Sequence, residues 1–353
     1  MAELIKVFFI GGTGYIGGSV LARLLPRQGK DLDITVLTRS QDKAKLFEKM
    51  GVKTVVASLD DVDILSKVAS ESNVVFHTAD ADHIESAQAI IEGLKKKKQA
   101  TGKAQIYIHT SGTGVLGDDA RGEYTTDKIY SDLNIPLIES IPRDAVHREI
   151  DLAIVAAGES GDVKTYIILP STIYGIAKNE LTAAGIQNPH SIQIPQLIRA
   201  SLDRKQAGIV GKGVNQWPNV QIDDVADLYI VVLDAALAGT AAHGREGFYF
   251  AENGEHVFLD IANEVARVLH ERGIGTDKPS LFSDEEAKKY FGSYYLGSNS
   301  RARSERGRLF GLSPKYTTKD FIASIPAEID AIINRDGGKP FVVRVDGPAA
   351  RRK

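Results

Sequence analysis

The first pattern in the sequence with a chemical use is a glycine series at the end of an apolar run. Gly11-Gly12-Thr13-Gly14-Tyr15-Ile16-Gly17 follows Ile5–Ile10 and opens a helical periodicity carrying Ile16, Val20, Leu21, Leu24 and Leu25. Without side chains at Gly11 and Gly14 the backbone can turn sharply and approach a pyrophosphate. The amides of Thr13, Tyr15 and Ile16, where the helix begins, would hold its charge, and Gly17 would let helix and strand pack closely. The turn therefore predicts a dinucleotide. The second strand ends Val36-Leu37-Thr38-Arg39-Ser40, with no carboxylate to bind a free ribose 2′-hydroxyl. Arg39 can instead pair with a 2′-phosphate, so the expected cofactor is NADP(H) rather than NAD(H).

The elements that must position this turn alternate regularly. Strand-length apolar runs at Ile5–Ile10, Ile34–Leu37, Val52–Ala57, Val74–Phe76, Ile106–Ile108 and Tyr166–Leu169 are separated by helical periodicities. Such alternation predicts an α/β fold, a doubly wound parallel sheet of the Rossmann type, with helices on both faces. Gly112 to Asp144 is weakly periodic and too long for an ordinary connection, which marks it as functional. A helix with Val146, Ile150, Ala153, Ile154 and Ala157 on its buried face follows it. Beyond Pro170 the pattern loosens into helices near 194–206, 224–238, 259–272, 284–290 and 318–335 and a strand at 248–250. The expected organisation is a cofactor domain over 1–178 with return elements near 208–250, a smaller α/β substrate lobe interleaved over 179–340, and a flexible tail at 347–353.

The same residues resemble the extended, atypical short-chain dehydrogenase/reductase superfamily, including NAD-dependent epimerases and dehydratases and the NmrA-like proteins. The spacing Gly11, Gly14, Gly17 is similar to that superfamily's, and the likeness continues in order along residues 4 to 335. It implies Asp60 on the adenine amino group and Val74-Val75-Phe76-His77-Thr78-Ala79, with Thr78 and Ala79, beside the adenine ribose. It further implies Leu169-Pro170-Ser171-Thr172-Ile173-Tyr174-Gly175, with Pro170, Thr172 and Ile173, bordering the nicotinamide. Val220-Gln221-Ile222-Asp223-Asp224-Val225-Ala226 resembles a structural element in which Asp223 or Asp224 can cap helix amides.

The resemblance breaks where the chemistry would be. Members that transfer hydride generally carry a Ser or Thr after strand five and a Tyr-x-x-x-Lys on the next helix, lysine lowering the tyrosine pKa so that the phenol exchanges a proton with a carbonyl. Here the stretch reads His109-Thr110-Ser111-Gly112-Thr113, with Gly112 at the hydroxyl position and Ser111 and Thr113 as the candidate polarising hydroxyls. The Tyr and Lys positions fall at His147 and Asp151, four residues apart and therefore expected on one helix face, with the carboxylate favouring a protonated imidazole able to donate. The literal Tyr124-Thr125-Thr126-Asp127-Lys128 lies in the irregular segment and is the other candidate pair. In epimerases the region around Asn299–Arg306 can hold a diphosphate. Trp217 is either a pocket roof or a core anchor.

Composition narrows the classes further. Of 353 residues, 43 are Lys or Arg and 46 Asp or Glu, a formal charge of −3, which supplies no basic excess for a nucleic-acid partner. Zero cysteines exclude thiol chemistry and thiolate metal sites, and the eight histidines lack metal-ligand spacing, so no metal is expected. No apolar run reaches the roughly 18–20 residues of a membrane span. The Lys95–Lys98 run reads as a solvated helix end. The expected protein is a cytoplasmic monomer or homodimer acting on a small molecule. Its leading activity is NADP(H)-dependent oxidoreduction, reducing a carbonyl. A catalytically altered NADP(H)-binding sensor or regulator, and a nucleotide-sugar epimerase or dehydratase, are the alternatives.

Overall fold

The computed structural model describes residues 3–336. The expected tail at 347–353 lies outside the described residues. Seven strands, β1 (Ile5–Ile10), β2 (Leu32–Thr38), β3 (Lys53–Val56), β4 (Val74–His77), β5 (Gln105–Thr110), β6 (Val163–Pro170) and β7 (Phe248–Ala251), form one sheet. Their order is β7-β6-β5-β4-β1-β2-β3, and every neighbouring pair is parallel. A parallel sheet is covered on both faces, and the central strands comply by being apolar on both, whereas edge strand β3 stays partly exposed. Val7 and Phe9 of β1 pack with helix α1 (Tyr15–Leu24), and Phe47 of α2 (Gln41–Lys49) joins them. Phe8 and Ile10 face the other way, onto α3 (Val62–Glu71), α4 (Ile84–Thr101) and α5 (Arg148–Glu159). Helix α6 (Ile222–Leu237) returns to the α1 side, where Leu228, Tyr229 and Val232 are fully buried. At about 1.5–3 kcal/mol for each large apolar side chain buried, these two layers supply most of the folding drive.

The strand order reverses between β1 and β4, and that switch opens a crevice at the carboxyl ends of the strands. Gly11 leaves β1 and Thr78 leaves β4 on either side of it.

Past β6 a second sheet forms, which the sequence reading lacks. Thr172–Tyr174 pairs in parallel with Asn219–Gln221, and Gln216–Pro218 pairs antiparallel with Glu255–Val257. These strands have three, six and three residues, and one contains Pro218, so neither length nor alternation marks them. Helices Gln193–Asp203, Phe258–Glu271 and Thr318–Asp336 build a separate apolar cluster there, with Ile198, Val265, Phe321 and Ile329 at its centre.

The segment 112–144 is irregular yet fixed. Fully buried Asp132 accepts the backbone N–H groups of Phe250, Glu305 and Arg306, joining it to β7 and to the chain near 305. Tyr130–Ser131 pairs with Ala302–Arg303. The Lys95–Lys98 run lies in the last two turns of α4, with Lys98 in the last turn before the C-cap Gly102 in the left-handed region, φ 73°. Lys95 and Lys98 both meet Asp162. No helix among the described residues is long and apolar enough to cross a membrane.

Candidate active site

The glycine turn is built by close approach. Gly11 has φ +94°, and a Cβ there would lie 2.6 Å from Thr78 Oγ1 and 2.8 Å from the Ala79 nitrogen. A Cβ on Gly17 would lie 2.2 Å from the Gly11 carbonyl oxygen and 2.3 Å from Thr78 Oγ1. Thr78 is held in turn, its hydroxyl donating to the Ile10 carbonyl at 2.8 Å. Gly14 is extended at φ −81°, ψ 173°, and as N-cap of α1 it offers no side chain to the first-turn amides, which also have no acidic neighbour in that turn. An anionic group fits such an end, since it would take the N–H groups and the positive pole of the helix. Thr13 adds its carbonyl to the Asn188 amide. Tyr15 turns its phenol away and donates to the carbonyls of Tyr174 and Gly175, which leaves only its main-chain N–H for a ligand. Ile16 and Ile173 both pack against the small cluster of Tyr15, Ala177 and Ile222.

Arg39 leaves β2 exposed to solvent. Ser40 caps α2 by accepting the Lys43 amide at 3.2 Å, and partial burial holds the Lys43 ammonium below its ordinary pKa. Arg39 thus stands at the end of β2 where the 2′-phosphate is expected, with Ser40 and Lys43 next along the chain. Asp60 stands on the rim with its side chain 87% exposed, accepting from His83 Nε2 at 3.0 Å. His83 Nδ1 accepts the Ser86 amide as N-cap of α4, so its other nitrogen must carry the proton.

Beside the crevice lie the residues at the departures from the superfamily pattern. The structure corrects the expected placing of His147: it is not on the helix but immediately before it, the N-cap of α5, with φ 65° in the left-handed region. Its Nδ1 lies 2.8 Å from Asp82 Oδ1, in the connection between β4 and α4. Its Nε2 points towards the Gly112 turn, 3.6 Å from where a Cβ on Gly112 would stand. The ring therefore stands at van der Waals distance from the Gly112 turn. Burial pulls the His147 pKa down, but the Asp82 hydrogen bond and the charges of Asp82, Asp151 and Asp80 outweigh it, so the imidazole stays protonated above its ordinary range.

Asp151 has a different partner from the one expected. It is fully buried and accepts the Ser111 hydroxyl at 3.1 Å, while its Oδ1 has no partner. Burial lifts its pKa to about 6, against the opposing charges of His147 and Arg148 and the Ser111 bond. Ser111 accordingly spends its proton on Asp151, and the Thr113 hydroxyl is buried with no protein partner. His109, on β5, is wholly buried without a hydrogen bond and is held neutral by burial and by His77 and His147.

A stability consequence follows from Asp151. A carboxyl whose folded pKa lies above its unfolded value near 4 takes up a proton on folding, so its contribution is full below about pH 4 and is lost as pH rises through 6. Asp151→Asn removes this loss. Chemical denaturation is expected to find the variant about 1–3 kcal/mol more stable than the parent above pH 7, with the gain gone below pH 4.

Other expected residues lie elsewhere. Tyr124 is half exposed and its carbonyl accepts from Asn299, while the Lys128 ammonium sits 4.7 Å over the Tyr130 ring. Neither belongs to a helix, so their spacing aligns no common face. Pro170 ends β6, and the Thr172 hydroxyl donates to Gln193 at 2.8 Å. Trp217 is a core anchor, donating to the Ser298 carbonyl. Gln221, not Asp223 or Asp224, caps α6; Asp223 pairs with Arg23, and Asp224 takes the amides of Lys315 and Tyr316. Arg301 and Arg303 are both spent on Glu255.

The family model for the NAD dependent epimerase/dehydratase family matches residues 7–243, from β1 to just before β7. The chain belongs to this family. Nicotinamide dinucleotide binding is the family's common property, and the glycine turn, the uncapped α1 and the open rim at Arg39 and Lys43 fit that group. Among curated relatives, an oxidase named ucsJ from an Acremonium species is 29% identical over 95% of this chain and 98% of its own. An uncharacterised protein of Schizosaccharomyces pombe is 25% identical over 89% and 96%. Among solved structures, UDP-glucose 4-epimerase of Thermotoga maritima shares the fold with TM-score 0.64 at 14% identity, covering 94% of this chain and 99% of its own. The dTDP-glucose 4,6-dehydratase of Streptomyces venezuelae does so with TM-score 0.61 at 17% identity, covering 95% and 100%.

Within this family member the residue at the site that the sequence pattern does not single out is Asp82, the partner of His147. Its signal was present, because Asp80 and Asp82 follow the Val74–Ala79 segment directly, but nothing in the spacing says that an acid 65 positions before His147 meets it.

Proposed function

We propose that this family member is an NADP(H)-dependent oxidoreductase that reduces a carbonyl on a small, moderately apolar molecule, with His147 as the proton donor. The observation that carries the reading is the His147 ring, fixed at Nδ1 by Asp82 and open at Nε2 over the Gly112 turn. When bound, NADPH supplies the hydride. The chain's own part is then to bind, orient and protonate. The α1 amides would hold the pyrophosphate, Arg39 with Ser40 and Lys43 the 2′-phosphate, and the chain from Pro170 to Ile173 would border the nicotinamide. As the carbonyl carbon gains hydride its oxygen becomes basic, and His147 Nε2–H gives it a proton, leaving a neutral imidazole whose Nδ1–H still bonds Asp82. The relatives' names are consistent with redox work: an oxidase, and a ketoreductase of Stigmatella aurantiaca that is 27% identical over 32% of this chain. Steady NADPH consumption with members of an aldehyde and ketone panel is the expected result; no turnover with any of them counts against the reading.

The cofactor preference has its own test. Arg39→Glu replaces a charge-assisted contact, worth about 1.5–3 kcal/mol, by repulsion. Calorimetry is expected to show NADP+ binding weakened by roughly tenfold to a hundredfold with NAD+ binding unchanged or improved. Equal losses for both nucleotides would place Arg39 on a group the two share and remove its assignment to the 2′-phosphate.

A second reading is favoured by one observation. Asp151 stands at the place of the superfamily's lysine, buried and committed to Ser111, and brings no cation to a nicotinamide ribose. A nucleotide-binding sensor needs none. In that case binding is tight, turnover is absent, and NADP+ and NADPH bind with different affinities.

A further inference from the structure

The geometry points to Asp82 as the positioning residue of this site, the group that fixes both the tautomer and the protonation of His147. The inference rests on the reductase reading for its catalytic meaning, though not for its structural content. An ionised carboxylate only accepts hydrogen bonds, so the 2.8 Å contact requires the proton on His147 Nδ1. Every change of protonation is thereby confined to Nε2, the nitrogen that faces the Gly112 turn.

Asp82 is well placed to hold a fixed geometry. It lies in the five-residue stretch 78–82 between the end of β4 at His77 and the N-cap of α4 at His83. Its own amide donates to Asp80 Oδ1 at 3.0 Å, closing a local turn, and Thr78 and His83 anchor the stretch at both ends. Asp82 and His147 side chains are 20% and 19% exposed, so solvent screens their interaction only in part. His147 also occupies a left-handed backbone, a conformation strained for a non-glycine residue. The Asp82 bond offsets that strain and holds the ring where the backbone aims it.

The charged and titratable groups around His147 come from three elements. Asp80 and Asp82 face it from the β4–α4 connection, Asp151 from one turn into α5, and His109 from β5. Asp82 bonds the ring at Nδ1. Asp80 and Asp151 act through space, Asp151 is itself partly protonated near pH 6, and neutral His109 adds no charge to attract a proton. Without Asp82, burial should dominate and the imidazole should lose its proton at lower pH.

The test uses Asp82→Asn, nearly the same in shape but uncharged, with Asp82→Glu as the conservative variant that can restore a carboxylate. The first readout is ring nitrogen NMR of the unliganded protein across pH, with the His147 signals assigned by their loss in His147→Asn. Expected are the Nδ1–H tautomer in the parent, a titration midpoint moved to lower pH in Asp82→Asn, and a midpoint nearer the parent's in Asp82→Glu. The second readout is the pH profile of carbonyl reduction. In Asp82→Asn the falling alkaline limb is expected to move towards acid, with kcat down about 10–100-fold and KM within about twofold, as for other residues that orient a working group. An unchanged tautomer and midpoint in a folded Asp82→Asn overturns the inference. If the midpoint moves while no carbonyl is reduced by the parent, Asp82 keeps its role on His147 and the reductase reading fails instead.

Discussion

Gly17→Ala is expected to abolish measurable nucleotide binding and to lower stability by an amount at the upper end of the about 1–3 kcal/mol typical of overpacking. The added methyl would lie 2.2 Å from the Gly11 carbonyl oxygen and 2.3 Å from Thr78 Oγ1. Neither neighbour can yield cheaply. The Gly11 carbonyl accepts the Gly14 amide at 2.9 Å and closes the turn, and the Thr78 hydroxyl is bonded to the end of β1. Relief therefore requires α1 to back away from the turn, which moves the amides that would meet the pyrophosphate. Gly14→Ala supplies the internal comparison, because its Cβ would stand 3.2 Å from the same carbonyl on a backbone that alanine adopts freely. Calorimetric titration with NADP+ should thus rank parent, Gly14→Ala and Gly17→Ala in falling affinity, with circular dichroism reporting whether each is folded. A Gly17→Ala protein that binds as tightly as the parent would mean that the α1 end is not the anion site.

The distribution of what the sequence makes legible has a physical basis. Strands covered on both faces are apolar throughout, and helices that cover them carry a stripe, so β1 to β7 and α1 to α6 could all be placed from pattern. The glycine turn was readable because local backbone geometry demands a residue type at a fixed spacing. The small second sheet was not, since strands of three to six residues interrupted by Pro218 have no periodicity to detect. At the site the same division holds. Ser111, His147 and Asp151 were found as residues, but their pairing depends on which way each side chain turns. Four-residue spacing suggested that His147 and Asp151 share a helix face, whereas the helix starts at Arg148 and His147 lies in a left-handed conformation before it. That one backbone change sends the imidazole to Asp82 and leaves Asp151 to Ser111.

His147→Asn is expected to lower kcat for carbonyl reduction by about 10²–10⁴-fold, the usual worth of a positioned acid, with nucleotide affinity unchanged. Asparagine suits this purpose because it enters the left-handed region more readily than most residues and retains a polar group for Asp82. The α5 N-cap should therefore keep its backbone, φ 65° in the parent, and thermal stability should stay close to the parent's. What the variant lacks is a nitrogen that can give up a proton near neutral pH. The remaining hydroxyls cannot replace it easily: Ser111 directs its proton to Asp151, and Thr113 is buried with no base beside it to recover a proton after transfer. Tyr124 is the one phenol proposed for the role, half exposed on an irregular stretch. Tyr124→Phe in parallel separates the two donors. A loss confined to His147→Asn assigns the proton to the imidazole, whereas a loss confined to Tyr124→Phe would move the chemistry to the 112–144 segment and leave the Asp82–His147 pair as a structural fastening between the β4–α4 connection and α5.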